Sequence, residues 1–230
     1  MKNPLLLLLA ASSYLHATTI LIDFGPPTTN SSNGTGPTTG LPQTWNNFAA
    51  ADTSRGLSDT TGADTGYTLS SSGSFSNLNE LPSPPSGPYP STAGGDAIFS
   101  PASRILKLSG LDTSLVYSIT AYGFISRADS RNTTVTIGGV PQSYEPSNLW
   151  TSGSNGAPVG ALNPNGGSVT FSNLSPNGSG EIAITLSLGP GNTAGGGNLI
   201  LGVMEINYVP EPSAILLSSL GFIPLLRRRR

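Results

Sequence analysis

The chain has 230 residues, with 10 basic and 12 acidic side chains, one histidine and no cysteine, for a formal charge of −2. No disulfide can form, and the single histidine, His16, lies in a segment read below as removed, which excludes Ser-His-Asp and Cys-His catalysis and the usual zinc sites. Between Thr18 and Pro210 five basic residues face eleven acidic ones, a balance of −6 that argues against nucleic acid as a partner.

Met1-Lys2 and the apolar run Leu5–Ala11 lead to Leu15-His16-Ala17. That order is a secretory signal peptide over residues 1–17, cut after Ala17. Thr18–Phe24 then reads as a first strand, rich in β-branched residues. Residues 25–42 are loop, and Trp45-Asn46-Asn47-Phe48 opens a polar run to Gly62. Tyr67–Ser71 is a short strand, and the five prolines between Pro82 and Pro90 make residues 76–95 a loop.

The second half is more regular. Ala97–Phe99, Arg104–Leu108 and Leu115–Phe124 read as strands, the last alternating Tyr117, Ile119 and Ala121 against Ser118, Thr120 and Tyr122. Arg131–Ile137 alternates through Thr133, Val135 and Ile137 before Gly138-Gly139. Ser168–Phe171, Glu181–Leu188 and Asn198–Tyr208 complete a set of eight or nine strands. No stretch keeps a 3.6-residue apolar period. The expected fold is all-β, an antiparallel β-sandwich spanning 18–208, of jelly-roll or galactose-binding-like form with long Gly/Pro/Ser/Thr-rich loops.

Residues 209–230 carry three features in order: Pro210-Glu211-Pro212, the apolar run 214–226, and Arg227, Arg228, Arg229 and Arg230. As a helix the run would reach ~20 Å, short of the ~30 Å hydrocarbon core. It therefore fits a transient membrane stop, with the arginines on the cytoplasmic side, better than a lasting span. The prolines keep the preceding segment extended for a processing enzyme.

The triplet, run and arginine cluster resemble the PEP-CTERM sorting signal of exported Gram-negative bacterial proteins. The resemblance implies an exosortase-type membrane enzyme as partner, cutting near Pro210, Glu211 and Pro212. It further implies transient inner-membrane contact through 214–226, then release to the cell surface or an exopolysaccharide matrix. Ile22-Asp23-Phe24-Gly25, Trp45-Asn46-Asn47 and Leu201–Ile206 are similar to segments of proteins that carry this tail, without implying an activity.

No catalytic set emerges, so the leading expectation is a non-enzymatic surface or matrix protein. The alternatives are a carbohydrate-binding module and a polysaccharide hydrolase that uses two scattered acids. Asp23 is a candidate strand-end ligand or calcium ligand, set against a bond to adjoining backbone. Arg127 and Arg131, with Asp129, form a candidate rim for an acidic sugar, set against an internal Arg–Asp pair. Trp150, with Trp45, Tyr89, Tyr122 and Tyr144, is a candidate stacking residue, set against a place in the core. No metal site or cofactor is assigned. Asp52, Asp59 and Asp64 form a candidate loop site for calcium, set against solvated turns.

Overall fold

The computed structural model describes residues 17–26, 39, 41–78, 89–94, 96–125, 130–146, 167–192 and 197–209. Among them the chain forms fourteen strands and one helical turn, α1 (Ser91–Gly94). The strands are β1 (Thr18–Gly25), β2 (Asn46–Ala49), β3 (Ser54–Ser58), β4 (Asp64–Ser71), β5 (Ser76–Leu78), β6 (Ala97–Ser100) and β7 (Arg104–Ser109). They continue as β8 (Val116–Gly123), β9 (Thr133–Ile137), β10 (Val140–Tyr144), β11 (Gly167–Leu174), β12 (Ile182–Leu188), β13 (Leu199–Leu201) and β14 (Val203–Val209).

A five-stranded sheet has the order β11-β8-β14-β1-β2, and a six-stranded sheet the order β10-β9-β12-β7-β4-β3. A small third sheet runs β13-β6-β5. The fold is an all-β sandwich, as the alternation implies. Inward residues of the first sheet include Ile20, Ile22 and Phe24 of β1, Ile119 of β8 and Met204 and Ile206 of β14. They share one core with Leu106 and Leu108 of β7, Val135 and Ile137 of β9 and Ile182, Ile184 and Leu186 of β12. Successive side chains point to opposite faces, so each strand gives the core every second residue.

The pairing is antiparallel with one exception: β2 runs parallel to β1, with Ile22 opposite Asn46. At one edge of the six-stranded sheet Ile137 and Val140 close a two-residue hairpin. Its Gly138 and Gly139 both have positive φ, 59° and 79°, the geometry of a type I′ turn.

Four strands, β2, β3, β5 and β10, lie outside the sequence expectation, each for a physical reason. All four are sheet edges, which need little apolar signal: β3 buries only Leu57, and β10 (Val-Pro-Gln-Ser-Tyr) only Tyr144. Pro141 is tolerated because an edge strand has a free side. The expected loop 76–95 is corrected by β5, which pairs with β6 ahead of the proline cluster. The single expected strand 198–208 is broken at Gly202. There the N–H donates to Tyr122 O at 2.8 Å and the C=O accepts from Phe24 N at 2.8 Å, so the chain passes from the third sheet into the first. Leu188, the last residue of β12, is 41% exposed where the strand leaves the core.

Two side-chain devices join the large sheets. Asn46, 7% exposed, donates from Nδ2 to Leu21 O at 3.0 Å and to Ser58 O at 2.8 Å. Its Oδ1 accepts from Ser58 N at 2.8 Å. One amide thereby imitates a strand neighbour and closes the gap between β2 and β3. The rings of Tyr67, Tyr117 and Tyr208 pack mutually, with centroids 5.5–6.2 Å apart. The Tyr117 hydroxyl lies 3.1 Å from that of Tyr67 and accepts from Asp112 N at 3.0 Å. Burial of these three phenols, first of the causes, raises each pKa.

Candidate functional site

Alternation gives the outer face of the five-stranded sheet its own residues: Thr19, Leu21 and Asp23 on β1, and Val203, Glu205 and Asn207 on β14. Register sets Leu21 opposite Glu205 and Thr19 opposite Asn207. Over this face a second apolar cluster gathers Leu21, Trp45, Ala93, Tyr122, Phe124 and Val203, with Tyr89 packed against it. The Asn46 clamp fixes the approach to β2 and hence Trp45. Backbone bonds do the same for the turn after β3: Thr60 N donates to Thr19 O at 3.0 Å, and Thr44 N to Thr60 O at 2.9 Å.

These elements enclose a cavity of about 310 Å³, lined by Thr19, Leu21, Gln43, Trp45, Thr60, Tyr89, Pro90 and Glu205. The Trp45 and Tyr89 rings meet edge to face at 6.3 Å and 89°, forming a corner. Tyr122 backs Tyr89 at 5.2 Å and 67°. Tyr89 OH donates to Glu205 Oε2 at 3.1 Å. Asn207 Nδ2 donates to Glu205 Oε1 at 2.7 Å, and Thr19 Oγ1 to Asn207 Oδ1 at 2.6 Å. A polar relay thus holds the carboxylate beside the aromatic corner. Burial, and then the Glu205 charge, raise the Tyr89 pKa, so the phenol stays a donor. Burial alone pushes Tyr122 up to about 12.

Among the described residues the Trp45 indole N–H and the Tyr122 hydroxyl have no hydrogen-bond partner. A buried polar group left unpaired costs about 1–3 kcal/mol, so such positions call for a reason. A larger cleft of about 580 Å³, lined by residues such as Ile137, Val140, Leu174, Glu181 and Ala183, lies among β9, β10, β11 and β12. Its carboxylate, Glu181, is already paired with Lys107 Nζ at 2.8 Å, which leaves the cleft less to offer a ligand.

Of the aromatic candidates, Trp45, Tyr89 and Tyr122 come together here. Tyr144 does not: it is buried in the core with its hydroxyl donating to Ile200 O at 2.5 Å. Trp150, Arg127 and Asp129 lie outside the described residues, as do Pro210, Glu211, Pro212 and Arg227 to Arg230. Ala17 is exposed, immediately before β1. Asp23 is 1% exposed, opposite Val203. The Arg131 backbone N–H donates to Glu145 Oε1 at 2.9 Å. With the Asn198 amide turned to satisfy both its atoms, Arg131 Nη1 reaches Asn198 Oδ1 at 2.9 Å.

The loop acids each fix a turn. Asp59 Oδ1 accepts from Thr61 Oγ1, Thr61 N and Ala63 N at 2.6–3.0 Å, and its bond from the Thr61 side chain leads the causes that lower its pKa. Asp64 Oδ1 accepts from Gly66 N at 3.0 Å, and Asp52 Oδ2 from Ala49 N at 2.8 Å. Among the described residues no group of three His, Cys, Asp or Glu is placed to hold a metal ion.

Glu205, Gln43, Thr19 and Thr60 were not singled out from the sequence. Glu205 had a signal, since it is the sole charge in the apolar segment Leu199–Ile206. The other three are ordinary polar residues whose convergence depends on register and on the Asn46 clamp. A comparison with protein-family models gives no match, and a comparison with curated proteins gives none.

Proposed function

We propose that the chain is an exported, non-enzymatic protein of the cell surface or extracellular matrix. In this reading an exosortase-type enzyme releases it after transient anchoring in the inner membrane. The observation that carries the reading is the ordered tail: Pro210-Glu211-Pro212, the apolar run 214–226 and Arg227–Arg230. The geometry supports it at both ends. β1 starts at Thr18, immediately after the expected leader cut at Ala17, and β14 carries its pairing to Val209, next to Pro210. Thr18 pairs with Tyr208, so both cuts fall at the same end of the sheet and spare the core. First and last strands lying side by side also support the jelly-roll form. Intact-mass measurement of protein recovered from the cell surface and medium tests the proposal. A species running from Thr18 to about Pro210 is expected, and one retaining Arg230 at the surface refutes it.

A second reading, a carbohydrate-binding module for exopolysaccharide, is favoured by the cavity at Trp45, Tyr89 and Glu205. Sugar sites combine an apolar wall with a few convergent polar groups. Retention on polysaccharide affinity gels tests it. The hydrolase alternative gains least, since two-carboxylate hydrolysis needs a second acid and the described lining carries Glu205 alone.

A further inference from the structure

We infer that the cavity on the outer face of the five-stranded sheet is a subsite for one neutral, hydroxyl-rich ring, such as a hexose residue of a polysaccharide. In it Glu205 selects against anionic sugars and Gln43 bonds ring hydroxyls. The inference rests on the carbohydrate-binding reading and adds the site and the ligand class.

Size comes first. A cavity of about 310 Å³ lies at the small end of ligand sites, which suits a single ring. Shape comes second. Trp45 and Tyr89 meet at 89°, and with Leu21 and Pro90 they wall one side of the space. Polar chemistry comes third. The lining supplies an amide (Gln43), two hydroxyls (Thr19 and Thr60) and a carboxylate (Glu205). This set both donates and accepts, which matches sugar hydroxyls, since each of those also does both. An ammonium only donates and would leave the amide and hydroxyl donors unanswered.

Charge decides the class of sugar. Among the described lining residues Glu205 is the only charged group, and no cation is present to receive a uronate carboxylate. Glu205 is held in place by Tyr89 and Asn207, so it cannot swing away from an anionic ligand without breaking both bonds. Its accepting oxygens remain open to further hydroxyl donors, because a carboxylate has about four lone-pair sites.

The full-length protein in detergent is titrated by calorimetry with a neutral glucan hexasaccharide, an oligouronate and a chitosan oligomer. The glucan is expected to bind, and the oligouronate at least tenfold more weakly. Gln43→Ala and Glu205→Gln should each weaken glucan binding by about tenfold. Glu205→Gln should also narrow the glucan-to-uronate ratio, an effect that a merely structural role would not produce. Gln43 is exposed, so Gln43→Ala keeps the fold, with near-UV circular dichroism as the check. Glucan binding unchanged in both variants overturns the site and leaves the carbohydrate reading standing. Binding of the chitosan oligomer alone overturns the neutral-ring assignment. Loss in Trp150→Ala with retention in Gln43→Ala moves the site elsewhere. No binding in any arm overturns the inference and the carbohydrate reading together.

Discussion

Replacing Asn46 by alanine should unfasten the sandwich where β2 and β3 meet. The side chain makes three hydrogen bonds at 2.8–3.0 Å, two with Ser58 and one with Leu21, at a position only 7% exposed. A net ~0.5–1.5 kcal/mol for each gives a loss of about 2–4 kcal/mol. For a domain of this size that corresponds to a melting shift of roughly 5–15 °C. Asn46→Asp sharpens the test, because a carboxylate would face the carbonyls of Leu21 and Ser58 in place of an amide that donates to both. Burial and those carbonyls raise the folded-state pKa of the new group. Its protonated form is therefore the favoured one, and stability is lost as pH rises through that raised value. Urea denaturation of wild type and both variants between pH 4 and 8 measures this. Asn46→Asp should be the least stable at pH 7 and should converge on Asn46→Ala, or exceed it, at pH 4. A loss below ~0.5 kcal/mol for Asn46→Ala, or no pH dependence of Asn46→Asp relative to wild type, refutes the clamp.

Further predictions address other joints. Tyr117→Phe removes the hydroxyl that joins Tyr67 to the Asp112 backbone and should cost about 1–2 kcal/mol in denaturant unfolding, with water re-satisfying the exposed Asp112 N–H. Thr133→Val strands the Ile200 N–H, which now donates to Thr133 Oγ1 at 2.9 Å in a fully buried setting, and should cost about 1–3 kcal/mol. Gly110→Ala sets a Cβ 2.7 Å from Gly66 O at φ 80° and should lower stability by about 1–3 kcal/mol, whereas Gly178→Ala, with open space around it, should be near neutral. Acid should weaken the fold. Asp59, Asp112 and Glu181 have lowered pKa values, chiefly from bonds to the Thr61 side chain, the Ser114 backbone and the Lys107 side chain. Their contribution is complete above about pH 5 and disappears as pH falls through the lowered values, so melting curves should shift down progressively below about pH 5.

The central strands were legible because burial on one face imposes alternation. Val135 with Ile137, and Ile182 with Ile184 and Leu186, announce both strand and inward face. Edge strands were not, because an edge needs few apolar residues: Ser54–Ser58 buries one. The Trp45-Asn46-Asn47 segment was visible as a pattern, yet nothing local tells that Asn46 bonds Ser58 across the two sheets. Among aromatics, Trp45, Tyr89 and Tyr122 are far apart in the chain, and composition cannot say which meet. Tyr144 illustrates the converse, since the same residue type went to the core.

By itself the sequence determined the fold class, the absence of histidine and cysteine chemistry after residue 17, and the pattern of the two ends. All three follow from local order or composition, which neighbours along the chain suffice to define. Tertiary structure alone decided the partition into sheets, the break at Gly202 and the cavity that sets Glu205 beside Trp45 and Tyr89. Those depend on register and on cross-sheet bonds between residues remote in sequence, where the gain comes from burying faces together and no single segment carries the signal.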